Sequence, residues 1–590
     1  MEQTLNWVLG SPLLRYIYAM IRSSYLLIIL SFLSFRYSES QNNIIIDDYF
    51  INPLEIDLKL SGNFGELRSN HFHSGLDIKT NQRTGARVVA VANGYVSRIK
   101  IERYGYGKAL YITHPNGYTS VYGHLEKFAP RIEKYVKNKQ YVKESYEIQL
   151  FPGDLELRID QGELIAYSGN SGGSGGPHLH FEIRDSAARP MNPMMMGIEI
   201  ADTKKPLVRN GMVYPIDRNA IINGENKPMP VRLVQQSDGT FKAPSFRAHG
   251  NIGIGINTVD QQNGSNNKNG VFKISTYLNG SKNFEIEFDK YTFAESKRLN
   301  QLIDYGFFKK NKSRIMRLYI PDNSPLSLYQ NTVNDGVLQL VQPEMNHHFK
   351  AEIMDFKGNT SEVVFNIEND YPPNELVVED ESDLTYIHKG TTFREQYGNF
   401  HLTIPSGALY DDELLAIQQH LDTLKVHEDE IPLHKNIIIE YNLDSKQGDN
   451  LDQYFIGSVA SWGKVYPIKT SRKGNRLRAS SRYFGTFAVS KDTDVPSITP
   501  INFRDKQWIS KNQTLKIKID DATSGVDGYR ATVNGKFILM EYDYKTDLLV
   551  YDFDDGVVNE KENHLKLIVT DEVGNSNTFE AVFYRKPLNP

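Results

Sequence analysis

The 590-residue sequence predicts a mainly β fold, a string of antiparallel-sheet domains, on three observations. Tyr (34) and Phe (29) are abundant among frequent Gly, Asn and Asp, a bias toward strands joined by tight turns. Two hairpin patterns stand close together. The first is Arg87–Val91, the turn Asn93-Gly94 and Tyr95–Ile101; the second is Ala109–Thr113, the turn Pro115-Asn116-Gly117 and Tyr118–Tyr122. A strand that runs into Asp-x-x-Gly-Asn and out into another strand occurs twice, at Ala351–Asn359 and Lys566–Asn575. That repeat predicts two immunoglobulin-like β-sandwich modules.

In order along the chain, the first segment reads as an address. Arg22, the apolar run Tyr25–Phe35 and the small residues Ser38 and Ser40 predict an export signal over about 20–40. The run is short for a membrane span, which needs about 20 residues. Met20 fits the start of such a signal, which makes residues 1–19 the product of an upstream start codon. The alternative is a retained single-pass anchor. Residues 50–200 form the motif-dense domain, interrupted by a charged insertion over about 130–147. There Pro130 suits a first helical turn, and Ile132, Tyr135, Val136 and Val142 give an apolar stripe, so one amphipathic helix is expected. An immunoglobulin-like sandwich is expected over 205–368, a further β-rich module over 370–490 and a second sandwich over 492–590. Helices are expected as exceptions at Ala294–Phe308 and Asp411–Leu424.

Composition narrows the chemistry. The net charge of −5 gives no basic field for nucleic acid or anionic lipid. The absence of cysteine removes disulfides, thiolate metal sites, cysteine nucleophiles and a lipoprotein anchor. Any metal is then held by His, Asp or Glu.

Such residues gather in three short stretches of the first domain. His71-Phe-His-Ser-Gly-Leu-Asp77 places Asp77 four positions after His73; Val121-Tyr-Gly-His-Leu125 carries His124; and Gly176-Pro-His-Leu-His-Phe181 carries His178 and His180 behind a Gly-rich loop, Ser168–Gly176. Strand residues two apart share a face, so His178 and His180 point together while Leu179, Phe181 and Ile183 face a core. Catalytic zinc uses three protein ligands and leaves a fourth position for water. His73, Asp77 and one of the strand pair can supply that set, and the remaining strand histidine then lies beside the metal as a base or orienting group. The Gly-rich loop lacks the Gly-Lys-Ser/Thr ending of a phosphate cradle; its glycines suit close approach of an extended peptide instead. His71 reads as a groove-rim residue, Arg68 and Asn70 as candidate groove residues, and Tyr106, Tyr111 and Tyr122 as packing residues.

The stretches His71–Ile78, Tyr122–Leu125 and Gly169–Ile183, in this order, resemble the lysostaphin-type (LytM-like) zinc metallo-endopeptidases acting on peptidoglycan, over about residues 55–195. The resemblance implies an antiparallel-sheet zinc peptidase domain with Zn2+ as cofactor. It implies His73, Asp77 and His180 as metal ligands, and His124 and His178 as catalytic residues flanking the metal. It also implies hydrolysis of peptide cross-links, peptidoglycan peptide stems as partner, and a place in the periplasm or cell envelope of a bacterium. The inserted helix departs from the minimal family pattern and bears on substrate preference. The β modules suit wall binding, spacing, autoinhibition or contacts with envelope proteins. Two alternatives stand beside this reading: a non-catalytic envelope protein that binds wall peptides or activates another hydrolase, and a protease acting on proteins or peptides.

Overall fold

The first domain is built on one antiparallel sheet, and the register of that sheet places the site. Its elements are β1 (Leu60–Gly62), β2 (Leu76–Lys79), β3 (Arg87–Val89), β4 (Gly94–Ile101), β5 (Lys108–Thr113), β6 (Thr119–Phe128), α1 (Pro130–Lys143), β7 (Ile148–Leu150), β8 (Arg158–Ile159), β9 (Leu164–Ser168), β10 (His178–Arg184) and β11 (Pro190–Met191). The main strand order is β1-β2-β10-β6-β5-β4-β7, with β9 joining β3 to β6. The structure is a computed structural model and describes residues 49–342, 345–369, 383–446 and 448–587. The export signal expected at 20–40 lies outside the described residues. No helix among the described residues is long and apolar enough to cross a membrane.

The hairpin read at Ala109–Tyr122 forms, with Thr113 opposite Thr119. The one read at Arg87–Ile101 does not: both strands exist, but β3 pairs with β9 and β4 pairs with β5, β7 and β8. The 160–163 turn explains the difference. It takes the backbone groups a hairpin would use, through Ala90 N–H to Glu163 O, Gly162 N–H to Ala90 O and the Gln161 side chain to Val91 O.

The insertion is a helix, α1, that stops at Lys143, where Glu144 turns left-handed at φ 48°. Ile132 and Val136 are buried, but Val142 is 82 % exposed and lies off the stripe. Residues 411–424 are not helical; they form short strands at Glu413–Leu415, Ile417–His420 and, starting within them, Thr423–Val426. The expected helix at 294–308 is broken into three pieces, Phe293–Ser296, Leu299–Leu302 and Tyr305–Asn311, the first closed by a Thr292/Glu295 capping box and the last capped by Asp304.

Four large hydrophobic cores follow one another along the chain. The first spans Phe50–Ile200, the second is centred on Val208–Ile367, the third spans Ile387–Phe487 and the fourth Phe503–Phe583. Two five-stranded sheets supply the third, and a four-stranded and a five-stranded sheet supply the fourth. The cores are not independent of their neighbours. Phe64 and Phe72, from the first domain, belong to the second core. Phe72 packs on Phe288 and Tyr291, its N–H donates to Ser296 Oγ at 2.8 Å, and its carbonyl accepts from Tyr291 OH at 2.9 Å. The last module docks on α1: Asp555 accepts from Tyr141 OH at 2.7 Å, and Arg530 pairs with Glu144 at 2.7 Å.

Candidate metal centre

Cross-strand register brings the separated stretches together. On β10, His180 stands opposite Asp77 of β2 on one side and opposite Gly123 of β6 on the other. Opposite residues of an antiparallel pair share a face, so the Asp77 carboxylate and His180 imidazole must meet. His180 Nδ1 is 2.9 Å from Asp77 Oδ1, His73 Nε2 is 3.0 Å from the same oxygen, and His73 Nε2 and His180 Nδ1 are 3.1 Å apart. His178 Nε2 lies 3.4 Å from Asp77 Oδ1. The His124 ring centroid is 4.8 Å from that of His178 and 5.8 Å from that of His180. His124 has a left-handed φ of 57°, inside a stretch where β6 shifts register, and such irregularities re-aim side chains.

Each histidine has one ring nitrogen tied down and the other turned inward. His73 Nδ1 is 2.8 Å from Asn63 O, His124 Nδ1 is 2.9 Å from Ser171 O, and His178 Nδ1 is 2.8 Å from Gly176 O. A carbonyl only accepts, so each Nδ1 carries the proton and each Nε2 presents a lone pair. His180 is reversed: its Nε2 donates to Glu182 Oε1 at 2.8 Å, leaving Nδ1 toward Asp77.

Glu182 is the residue that the sequence reading missed. It is fully buried and accepts from His180, from Ser74 Oγ at 2.7 Å, from the Tyr106 hydroxyl and from Arg184 Nε at 2.6 Å. The period of two that paired His178 with His180 places Glu182 on the same face, so the signal was present in His-x-His-x-Glu. Tyr106 is more than packing: it stacks on His180 at 4.9 Å and 25°.

The electrostatics follow from burial and these partners. Burial by itself would raise the Asp77 carboxyl, but the three surrounding histidines hold it well below the usual range. Burial pushes His73 down. It pushes His124 down to about 3, helped by His180 and His178. His180 is raised to about 9 because its bonds to Asp77 and Glu182 outweigh its burial.

His73 Nε2, His180 Nδ1 and Asp77 Oδ1 are the set that could hold a cation, all buried and mutually within hydrogen-bond distance. Ligands about 2.0–2.1 Å from a tetrahedral zinc lie about 3.3 Å apart, so the set fits with expansions of a few tenths of an ångström. His71 is exposed and outside the group. Arg68 pairs with the other oxygen of Asp77 at 2.8 Å. Asn70 instead hydrogen-bonds the Tyr483 hydroxyl.

The groove beside Asp77 and His178 encloses about 870 Å³ and is edged by Lys59, Arg68, Lys79 and Gly175–Pro177, with no residue of α1. Within the Gly-rich loop, Gly169 and Gly172 are required by close packing: a Cβ would lie 2.3 Å from Glu126 N or 2.2 Å from Gly107 N. Gly175 and Gly176 have open space around them.

Comparison with known proteins bears on the family of this domain. Residues 71–149 match the family described as "Peptidase family M23", a segment that contains His73, Asp77 and His124 and stops before His178 and His180; residues 385–492 match "Zu5-like domain". An "Uncharacterized metalloprotease" of Haemophilus influenzae is 30% identical over 187 residues, 30% of this chain and 34% of the relative. "DD-carboxypeptidase/endopeptidase Mpg" of Neisseria meningitidis is 30% identical over 153 residues, 25% of this chain and 29% of the relative. The chain thus spans about a third of the length of the curated relatives it matches. A zinc-containing peptidase from Vibrio cholerae, 23% identical over 26% of this chain and 40% of its own, superposes with a TM-score of 0.19, which adds no argument. On the family match and the two relatives, the first domain of this chain carries a segment of peptidase family M23.

Proposed function

We propose that the chain is an exported, zinc-dependent endopeptidase that hydrolyses peptide cross-links of bacterial peptidoglycan, with His73, Asp77 and His180 as zinc ligands and His124 and His178 as catalytic residues. The observation that carries this reading is the convergence of three anchored ligand atoms within 3.1 Å of one another beside two further histidines with inward-facing Nε2 lone pairs. Bound there, zinc supplies Lewis acidity toward a carbonyl and lowers the pKa of a water.

The chain's own residues do the rest. His124 and His178 each have Nδ1–H held by a carbonyl, so each accepts a proton at Nε2 and the resulting imidazolium is supported from behind. His124, neutral at physiological pH, is available as a base or, once protonated, as the donor to the leaving amine. Glu182 fixes the ring of His180 through Nε2, as carboxylates behind ligating histidines do. Lys59 and Lys79 along the groove, which also holds Asp57, offer cations to a carboxylate of a peptidoglycan stem, while Arg68 is already paired with Glu66 and Asp77. The division into units at 50–200, 205–368, 370–490 and 492–590, with envelope contacts through the later three, belongs to the same proposal and is supported by four cores that follow this order, although Phe64 and Phe72 of the first unit join the second core.

The test is digestion of purified sacculi by the zinc-loaded full chain. Uncross-linked muropeptides should appear, and should vanish with His180→Ala and His124→Ala. Sacculi left intact by zinc-loaded protein would favour the non-catalytic binding or activating role.

A further inference from the structure

The first of the two Asp-x-x-Gly-Asn turns opens on Asp355, a member of a second cluster of ligand-type atoms. Asp202, Asp260 and Asp355 place one carboxylate oxygen each within 4.8 Å of one another. Asp260 and Asp355 are each 2 % exposed and Asp202 is half-buried. Two buried carboxylates and a half-buried one repel one another. Burial and the charges of Asp202 and Asp355 push the Asp260 carboxyl up to about 7. Acidic clusters alone prove little, but here uncharged side chains point the same way.

Asp260 and Asn269 face each other across an isolated bridge with both backbone bonds made, at 2.9 and 2.8 Å. Their side chains therefore share a face. Asn269 is 1 % exposed, and neither its Oδ1 nor its Nδ2 has a hydrogen-bond partner. Gln262 is 3 % exposed and its Oε1 is also unpartnered, as is Asp260 Oδ1. Buried polar atoms left unmatched cost about 1–3 kcal/mol each, so a concentration of them calls for a missing partner. The nearby ammonium of Lys204 does not serve, since it donates to the carbonyls of Gln262 and Ser265.

We propose that Asp202, Asp260 and Asp355, with the side-chain carbonyls of Asn269 and Gln262, form a calcium site. The donors are all oxygen, the choice of a hard cation, and calcium accepts six to eight of them at 2.3–2.6 Å. The ligands also come from separate places: the linker after Ile200, the end of the long strand Phe246–Val259, and the 355–359 turn. Ile198 and Ile200 are buried in the first core, and Phe356, next to Asp355, packs against it. Calcium here fastens the peptidase domain to the module that follows it.

The related cluster at Asp492, Asp521 and Asp571 differs in the respect that matters. Its carboxylates accept from the backbone N–H groups of Asp494, Thr523, Ser524, Gly525, Val573 and Asn575. Asp202 and Asp355 also accept from backbone N–H groups, those of Lys204 and Asn359, so the difference lies in the orphaned atoms: none of the buried side-chain oxygens at Asp492, Asp521 and Asp571 lacks a partner, and that cluster carries no site.

The test uses the full chain, freed of metal on a chelating resin, with calcium chloride alone as the probe. Calcium should raise the melting temperature by a few degrees and bind with one equivalent that Asp260→Asn removes. Asparagine relieves the repulsion, so this variant melts at or above the wild type in metal-free buffer and its loss of calcium response is not a loss of fold. Asn269→Ala should weaken calcium binding, because one oxygen ligand is removed. His180→Ala should keep the full calcium response, which separates this site from the histidine centre. A wild-type melt indifferent to calcium at about 10 mM, above the range of even weak calcium modules, overturns the assignment. So does an Asp260→Asn chain that binds calcium as the wild type does.

Discussion

Glu182→Gln is the perturbation that most sharply separates positioning of the metal from mere stability. The carboxylate is fully buried, with His180, Ser74 and Tyr106 donating to Oε1 and Arg184 donating to Oε2. Glutamine has one acceptor oxygen. Placed at the crowded position, it keeps the bond from His180 but turns its amide N–H toward Arg184, another donor. Arg184 has a side chain only 12 % exposed, so it is left buried without its counter-charge. Breaking a buried pair this way costs about 3–5 kcal/mol of stability. Separately, His180 loses the negative charge that raises its basicity. Loss of such an outer partner lowers metal affinity about 10–100-fold, equivalent to about 1.4–2.8 kcal/mol. Zinc affinity should be measured by chelator competition on protein shown to be folded at the assay temperature, with the thermal melt recorded beside it. A variant that is less stable but holds zinc within twofold of the wild type would refute the positioning role.

Gly75→Ala places a Cβ 2.2 Å from Phe181 O, between β2 and β10, and should cost about 1–3 kcal/mol while weakening zinc binding, read by melt and competition. His124→Ala and His178→Ala should each lower kcat/KM on peptidoglycan by about 10²–10⁴-fold with zinc content preserved; loss of zinc from the His124 variant would contradict its placement outside the ligand set. Glu541→Ala removes the carboxylate that accepts twice at 2.9 Å from buried Lys108. Lys108 is left buried with only the Glu126 carbonyl to accept from it, so the loss should be about 1–3 kcal/mol, seen as faster amide exchange in Asn170–Ser174, where Lys545 and Tyr544 of the last module also bond.

Local spacing carried the site further than it carried the fold. The His-x-His period on β10, the four-residue step from His73 to Asp77 and the turn-end His124 are short-range patterns, and antiparallel register turns them into one cluster. Glu182 was equally legible and was passed over because a single carboxylate in a strand looks like surface polarity until its burial is known. The two Asp-x-x-Gly-Asn turns form alike, each Asp accepting from the Asn backbone and side chain. Where reading failed, distant partners decided. Leu414, Leu415, Ile417, Leu421 and Leu424 mimic a helical stripe, yet Leu424 and Val426 pair with Phe487 and Gly485, and Leu421 turns left-handed at φ 50° to make a hairpin. Nothing local in His71-Phe-His73 announces that Phe72 is claimed by the second core, or that α1 serves the last module rather than the groove.

The most direct test of the central claim is anomalous diffraction at the zinc edge from crystals of the zinc-loaded full chain. The account predicts one strong peak bonded to His73 Nε2, His180 Nδ1 and Asp77 Oδ1, with Arg68 and the Nε2 atoms of His124 and His178 outside bonding distance. A peak elsewhere, or none between those three atoms, would contradict it.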